Sequence, residues 1–118
     1  MTLIGSASMD AVHQAIRGLN ERQRTIANNI ANVETPGFLA GKVDFETYLK
    51  RAVVNKDNPL SAPIGHARSL EPTRPNGSNV NLDEETLAGI QTQLSTQLAT
   101  QMMTGKFQRL KMAITGQA

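Results

Sequence analysis

The chain has 118 residues, a net charge of +2, 39% apolar and 3% aromatic residues, no Trp and no Cys. That length bounds it to one domain, the lack of Cys excludes disulfides and thiolate metal sites, and scattered Lys and Arg without interleaved aromatics argue against a nucleic-acid surface. A short chain buries a modest share of its surface, so with this composition a compact core would be thin.

The first predicted element is a helix over residues 8–33. Met9, Val12, Ile16, Leu19, Ile26, Ile30 and Val33 recur at alternating steps of three and four, with Gln23 in the one missing place. That is the a/d seam of a coiled coil. Ser8 is expected to cap the helix, and Asp10 to lie in its first turn, where the dipole favours a carboxylate. Gln23 reads either as a register-setting polar residue or as a chance polar residue at the edge of the seam.

Asn28, Asn29 and Asn32 crowd the last two turns, although Asn is a poor helix former because its amide competes for backbone partners. On a helical wheel they flank one side of the seam. They read as amides bonding a neighbouring subunit or the connecting chain, or as local caps. Pro36 pushes Thr35 out of the α region, and Pro36-Gly37 suits the centre of a type II turn, which throws Phe38 to a fixed side.

Residues 34–81 are punctuated by Pro59, Pro63, Pro72, Pro75, Gly41, Gly65 and Gly77, which argues against long regular elements. One short helix is predicted within Asp44–Val54, with Phe45, Tyr48, Leu49, Ala52 and Val53 on one side. The remainder reads as an extended connection, of a length that usually signals function or disorder.

The second long helix is predicted over residues 82–115, capped by Asn81 with Glu84 three residues on. Leu87, Ile90, Leu94, Leu98 and Met102 form one stripe; Met103, Phe107, Leu110 and Ile114 form another, nearly opposite. A helix apolar on two sides needs two partners. The N-terminal helix is expected to supply one, and a neighbouring molecule, or a fold-back at Gly105, the other. Residues 86–105 hold no charge, and Gln91, Gln93, Gln97 and Gln101 stand where a solvent-facing helix would carry Lys and Glu. This neutral face reads as a channel lining or a tight subunit contact.

No catalytic, cofactor or metal site is expected. His13 and His66 have no acid or nucleophile at helical spacing, two His without Cys give no metal-site spacing, and the Gly residues form no phosphate loop. Asp83-Glu84-Glu85 is explained by the positive end of a helix.

The run Ala27-Asn28-Asn29-Ile30-Ala31-Asn32-Val33-Glu34-Thr35-Pro36-Gly37-Phe38 resembles the N-terminal motif of bacterial flagellar axial proteins, the rod and hook family. Lys42-Val43-Asp44-Phe45-Glu46 with Leu49, the Asn76–Glu85 segment and the Lys106-Phe107 and Ala113–Gly116 ends are similar to the proximal-rod branch of that family. Val33-Glu34, Leu39 and the short middle depart from its usual pattern. The resemblance implies an all-α fold in which the terminal helices pair as a coiled-coil-like hairpin, joined by a long Pro/Gly-containing loop with one short helix, whose segments order against other subunits.

It also implies a structural subunit of a hollow axial tube that transmits torque and passes exported subunits. The expected interface residues are Asn28, Asn29, Asn32, Thr35, Pro36, Gly37, Phe38, Asp44, Phe45, Leu87, Ile90, Leu94, Leu98, Met103, Phe107, Leu110 and Ile114. The implied partners are copies of the chain, neighbouring rod proteins, an adaptor at the rod base (FliE type), the export gate and the membrane-supramembrane (MS) ring, with no nucleic acid and no membrane span. The implied location is the basal body in the periplasmic space, reached without a cleaved signal peptide. Another rod position within the family, or a helical protein-binding module, is the alternative.

Overall fold

The computed structural model describes residues 6–116. Its elements are α1 (Ser6–Ala31), β1 (Gly41–Asp44), α2 (Glu46–Val54), a 3-10 turn (Pro59–Ser61), β2 (Gly65–Arg68) and α3 (Leu82–Thr115). The molecule is a flat rod of 63 × 29 × 14 Å, because α3, 34 residues long, spans about 51 Å at 1.5 Å per residue.

α1 and α3 lie antiparallel. Asn29 near the end of α1 meets Glu85 at the start of α3, and Ala99 joins Leu19 in the core. α1 includes Ser6, so Ser8 and Asp10 fall inside the helix rather than at its cap and first turn. α3 opens as expected: Asn81 Oδ1 accepts from the Asp83 and Glu84 N–H groups at 3.1 and 3.2 Å, satisfying two of the orphan donors of a helix start. It runs unbroken through Gly105.

The fold is mainly helical, but the connection is not the open loop expected. β1 and β2 pair antiparallel, with Gly41 opposite Arg68 and Asp44 opposite Gly65, so a small two-stranded sheet is added to the helical fold expected. The connection also orders within its own chain. Val43 and Phe45 bury beside Leu19 and Ala99, with Val12, Ala15, Ile16, Leu49 and Ile64 packed around them. Burying one such apolar side chain is worth about 1.5–3 kcal/mol, and few are available.

The seam of α1 is buried unevenly. Leu19 and Ile26 are buried, Met9, Val12, Ile16 and Val33 are half-buried, and Gln23 and Ile30 are exposed. One side of α3 meets α1 and the other is open, but the side that meets α1 is not the row of large apolar residues that a stripe suggests. The side against α1 is small and polar, with Glu85, Thr92 and Ala99 buried and Gly89 set against Ile26. Thr92 can enter an interface because its hydroxyl donates to the Ala88 carbonyl at 2.7 Å within the helix. The Leu87–Met102 stripe points away from α1.

Candidate assembly surface

The largest apolar feature among the described residues is the outer face of α3. Leu87, Ile90, Leu94, Leu98 and Met102 are 57%, 53%, 60%, 61% and 50% exposed. Successive members stand three or four residues apart, so they form one continuous row. Contiguous exposed apolar surface of this kind marks an interaction site rather than ordinary surface. Gln91, Gln93, Gln97 and Gln101 are exposed alongside. Met103 continues the side that faces α1 and is half-buried, while Phe107 and Ile114, further along it, are exposed. The side chain of Leu110 lies outside the described ones.

The three asparagines divide between the two readings open to them. Asn29 is 1% exposed. Its Nδ2 donates to the Gly41 carbonyl at 3.0 Å and to Glu85 Oε2 at 3.1 Å, and its Oδ1 accepts from the Gly41 N–H at 2.8 Å. One amide therefore ties α1 to β1 and to α3. Asn32 works locally: Nδ2 donates to the Asn28 carbonyl at 2.8 Å, and Oδ1 accepts from the Thr35 hydroxyl at 3.0 Å. Asn29 is corrected from an interface residue to an internal clamp, because its amide groups are spent inside the subunit.

Phe45 is corrected in the same way. It is 4% exposed, with the Arg22 guanidinium 4.8 Å from its ring centroid. Asp44 remains exposed and accepts from the Thr47 N–H at 3.2 Å, capping the first turn of α2. Thr35, Pro36 and Gly37 are exposed and Phe38 is half-buried. The Phe38 N–H donates to the Thr35 carbonyl at 3.2 Å, and Gly37 has φ of +73°, as a type II turn requires.

Several residues that hold this frame were not singled out by the sequence. Gln14 Nε2 donates to the Ala62 carbonyl at 2.7 Å. Asn79 repeats the amide clamp: Oδ1 accepts from the Ala40 N–H at 2.7 Å, and Nδ2 donates to the Ser69 and Glu71 carbonyls, each at 3.1 Å. Arg22 meets Glu46 with both arms at 2.7 Å and the Val43 carbonyl at 2.6 Å. The hydrogen bond from Arg22 holds the Glu46 carboxyl below its usual range, and the same bond raises Arg22 further. Gln14 and Arg22 lie on α1 outside its seven-residue repeat, and Asn79 lies in the connection before α3, so neither periodicity nor punctuation pointed to them.

An open groove of about 510 Å³ runs between α1, β1 and α3. Its charges already answer one another, Arg22 with Glu46 and Lys42 with Glu85 at 3.7 Å, so it offers no spare charge to a ligand. Among the described residues no group of three or more His, Asp or Glu is placed to hold a metal ion, and no helix is long and apolar enough to cross a membrane.

A family model described as "Flagella basal body rod protein" matches residues 15–38, the stretch from mid-α1 through the Pro36-Gly37 turn. Over most of its length the chain is similar to flagellar basal body rod proteins FlgB. It is 33% identical to that of Borrelia hermsii, over 91% of this chain and 95% of the relative. It is 31% identical to that of Bacillus subtilis, over 94% and 95%, and 29% identical to that of Borreliella burgdorferi, over 91% and 95%. These matches favour the proximal-rod branch over the other rod positions left open by the sequence, and a structural protein over an enzyme. The chain belongs to the FlgB family of flagellar basal body rod proteins.

Proposed function

We propose that this rod subunit builds a hollow axial tube, with the outer face of α3 as its main contact with neighbouring subunits. The single observation that carries this is the exposure of the Leu87–Met102 stripe on a helix that already buries its opposite side against α1. Leaving five large apolar groups in water on one row forgoes the stabilisation that burial would give, at roughly 1.5–3 kcal/mol for each side chain fully buried. A neighbour recovers it.

The partners in this reading are copies of the chain, other rod proteins, the adaptor at the rod base, the export gate and the MS ring, with the rod standing in the periplasmic space and its subunits exported without a cleaved leader. The tube transmits torque passively. The uncharged Gln and Thr positions beside the stripe suit a tight contact or, once a neighbour covers the stripe, a lumen wall, since they offer a passing chain no fixed charge. An open stack uses heterologous contacts, so each copy presents different patches to its neighbours. Asn28, Asn32, Thr35, Pro36, Asp44, Phe107 and Ile114, all exposed or half-buried, are further contacts in this reading.

The test is the double variant Leu94→Asp/Leu98→Asp. Neither side chain packs on α1, so the purified variant should keep the circular-dichroism spectrum of the parent and, at dilutions where both are monomers, its melting midpoint. It should be absent from isolated basal bodies, and the strain should not swim. A folded variant that enters basal bodies and supports motility would overturn the assignment of this face.

A further inference from the structure

α3 carries its charge in blocks. Asp83, Glu84 and the buried Glu85 open it, residues 86–105 hold no charged side chain, and Lys106, Arg109 and Lys111 follow. With 3.6 residues per turn, Asp83 and Arg109 fall on the same face as the exposed stripe, one beyond each end of it, and both are exposed. That face reads nearly the same in either direction along the helix. Laid antiparallel on a second copy, Asp83 stands opposite Arg109, Leu87 opposite Gly105, Ile90 opposite Met102, and Leu94 opposite Leu98.

We infer that two copies of the free chain pair through this face, α3 against α3 and antiparallel. The alternatives fail on charge or on overlap. A parallel pair in register sets Asp83 on Asp83 and Arg109 on Arg109. A parallel pair shifted to bring Arg109 onto Asp83 needs an offset of about 39 Å, while the apolar stripe is only about 23 Å long, so the two stripes lose each other. The antiparallel pair alone buries both stripes and matches both ends. The Arg109 guanidinium lies over Gly105, 3.7 Å from where a Cβ would sit; swinging out to Asp83 of the partner copy, it uncovers the glycine for Leu87, and the neutral stretch between contributes no repulsion.

Such a pair is isologous and closed, so it cannot add a third copy through the same face. A rod is open and polar. The dimer is therefore a state of the chain before assembly that keeps the stripe covered until subunits of the rod compete for it; this last step rests on the function proposed above. The contact is one short stripe per copy, well below a standard stable interface, so the dimer is reversible in the micromolar range.

The test uses the full chain, which has no Cys, so introduced thiols report one contact. Leu94→Cys and Leu98→Cys chains, mixed and oxidised mildly, should form the 94–98 cross-link in preference to 94–94 or 98–98. Sedimentation should show a concentration-dependent dimer. Arg109→Asp should raise its Kd about fivefold through the two lost end pairs, on the scale of exposed ion pairs. Asp83→Arg combined with Arg109→Asp should return it to within about twofold of the parent, with helicity checked for each. A monomer throughout the micromolar range, a dominant 94–94 link, or a charge swap that fails to restore pairing would each overturn the inference. A monomeric chain that still enters basal bodies would overturn the pairing and leave the rod reading standing; a dimer absent from basal bodies would do the reverse.

Discussion

The ring of Phe45 lies directly on Gly18: a Cβ built on that glycine would sit 2.3 Å from the ring's Cγ. Glycine inside a helix costs about 1 kcal/mol relative to Ala, and here the cost admits the ring into the core. The Arg22 guanidinium, one helical turn on, covers the same ring, so Phe45 has little room to withdraw. Gly18→Ala should therefore lower stability by about 1–3 kcal/mol, as overpacking does, despite the gain in helix propensity. In a Phe45→Ala background the sign should invert, because the clash is gone and the propensity gain remains. Urea melts of the two single variants and the double variant decide this.

Asn29 joins three elements through one amide. Its bonds to both backbone groups of Gly41, with that of Arg22 to the Val43 carbonyl, take up alternate positions of β1 much as a third strand would. Asn29→Ala leaves the Gly41 groups and the buried Glu85 carboxylate short of partners, and should cost about 2–4 kcal/mol. Asn29→Asp should cost more at neutral pH. It loses the donor to Gly41 and sets a second carboxylate against Glu85, whose nearest remaining cation is Lys42 at 3.7 Å. Thermal melts of the two variants should rank them in that order.

The two long helices, the short helix and the Pro36-Gly37 turn were legible because each has a local cause: seven-residue periodicity, a capping Asn, a Pro followed by Gly. The strands were not. Gly41-Lys42-Val43-Asp44 and Gly65-His66-Ala67-Arg68 are short and hold residues depleted from sheets. They exist as strands because Asn29 and Arg22 of α1 dock β1, a cause some 12–21 residues away in sequence. The stripe on α3 was legible as surface in need of a partner, but the make-up of the face that meets α1 was not. Leu and Ile draw the eye, while the face that meets α1 is built from Ala, Gly and Thr, whose hydroxyls are satisfied within the helix. Phe45 and Asn29 looked like interface residues because the sequence shows that they have partners, not whose chain those partners belong to.

The Arg22–Glu46 pair sets a pH dependence with a definite sign. The hydrogen bond from Arg22 depresses the Glu46 carboxyl below its ordinary 4.5. A carboxyl lowered on folding stabilises the protein above its unfolded value, and that contribution is lost as pH falls through the lowered folded value. The pair should thus be fully effective at neutral pH and fade below about pH 4.5. Glu46 is more than half exposed, so solvent screening limits the effect to about 1 kcal/mol or less. Glu46→Gln should reduce stability at pH 7, and the difference between variant and parent should shrink under acid. Denaturant midpoints at the two pH values measure it.

Gly37 and Gly77 stand back to back where the two ends of the connection meet. Both have positive φ, +73° and +85°, and the Gly37 N–H donates to the Asn76 carbonyl at 2.9 Å. Their surroundings differ. A Cβ on Gly37 would meet nothing within 4 Å, whereas one on Gly77 would lie 3.2 Å from the Gly37 Cα and 3.3 Å from its N. At Gly37 the cost of a side chain is conformational alone, about 1–2 kcal/mol for a left-handed residue and more for a β-branched one. Asn tolerates that region, so Gly37→Asn should fold and swim nearly as the parent, while Gly37→Val should express but lose motility. At Gly77 the contact remains whatever the φ preference, so Gly77→Asn should be destabilised by at least about 1 kcal/mol more than Gly37→Asn. Soft-agar spreading read beside the melting temperatures separates the two: equal behaviour of the Asn variants would show that the turns do not press on one another.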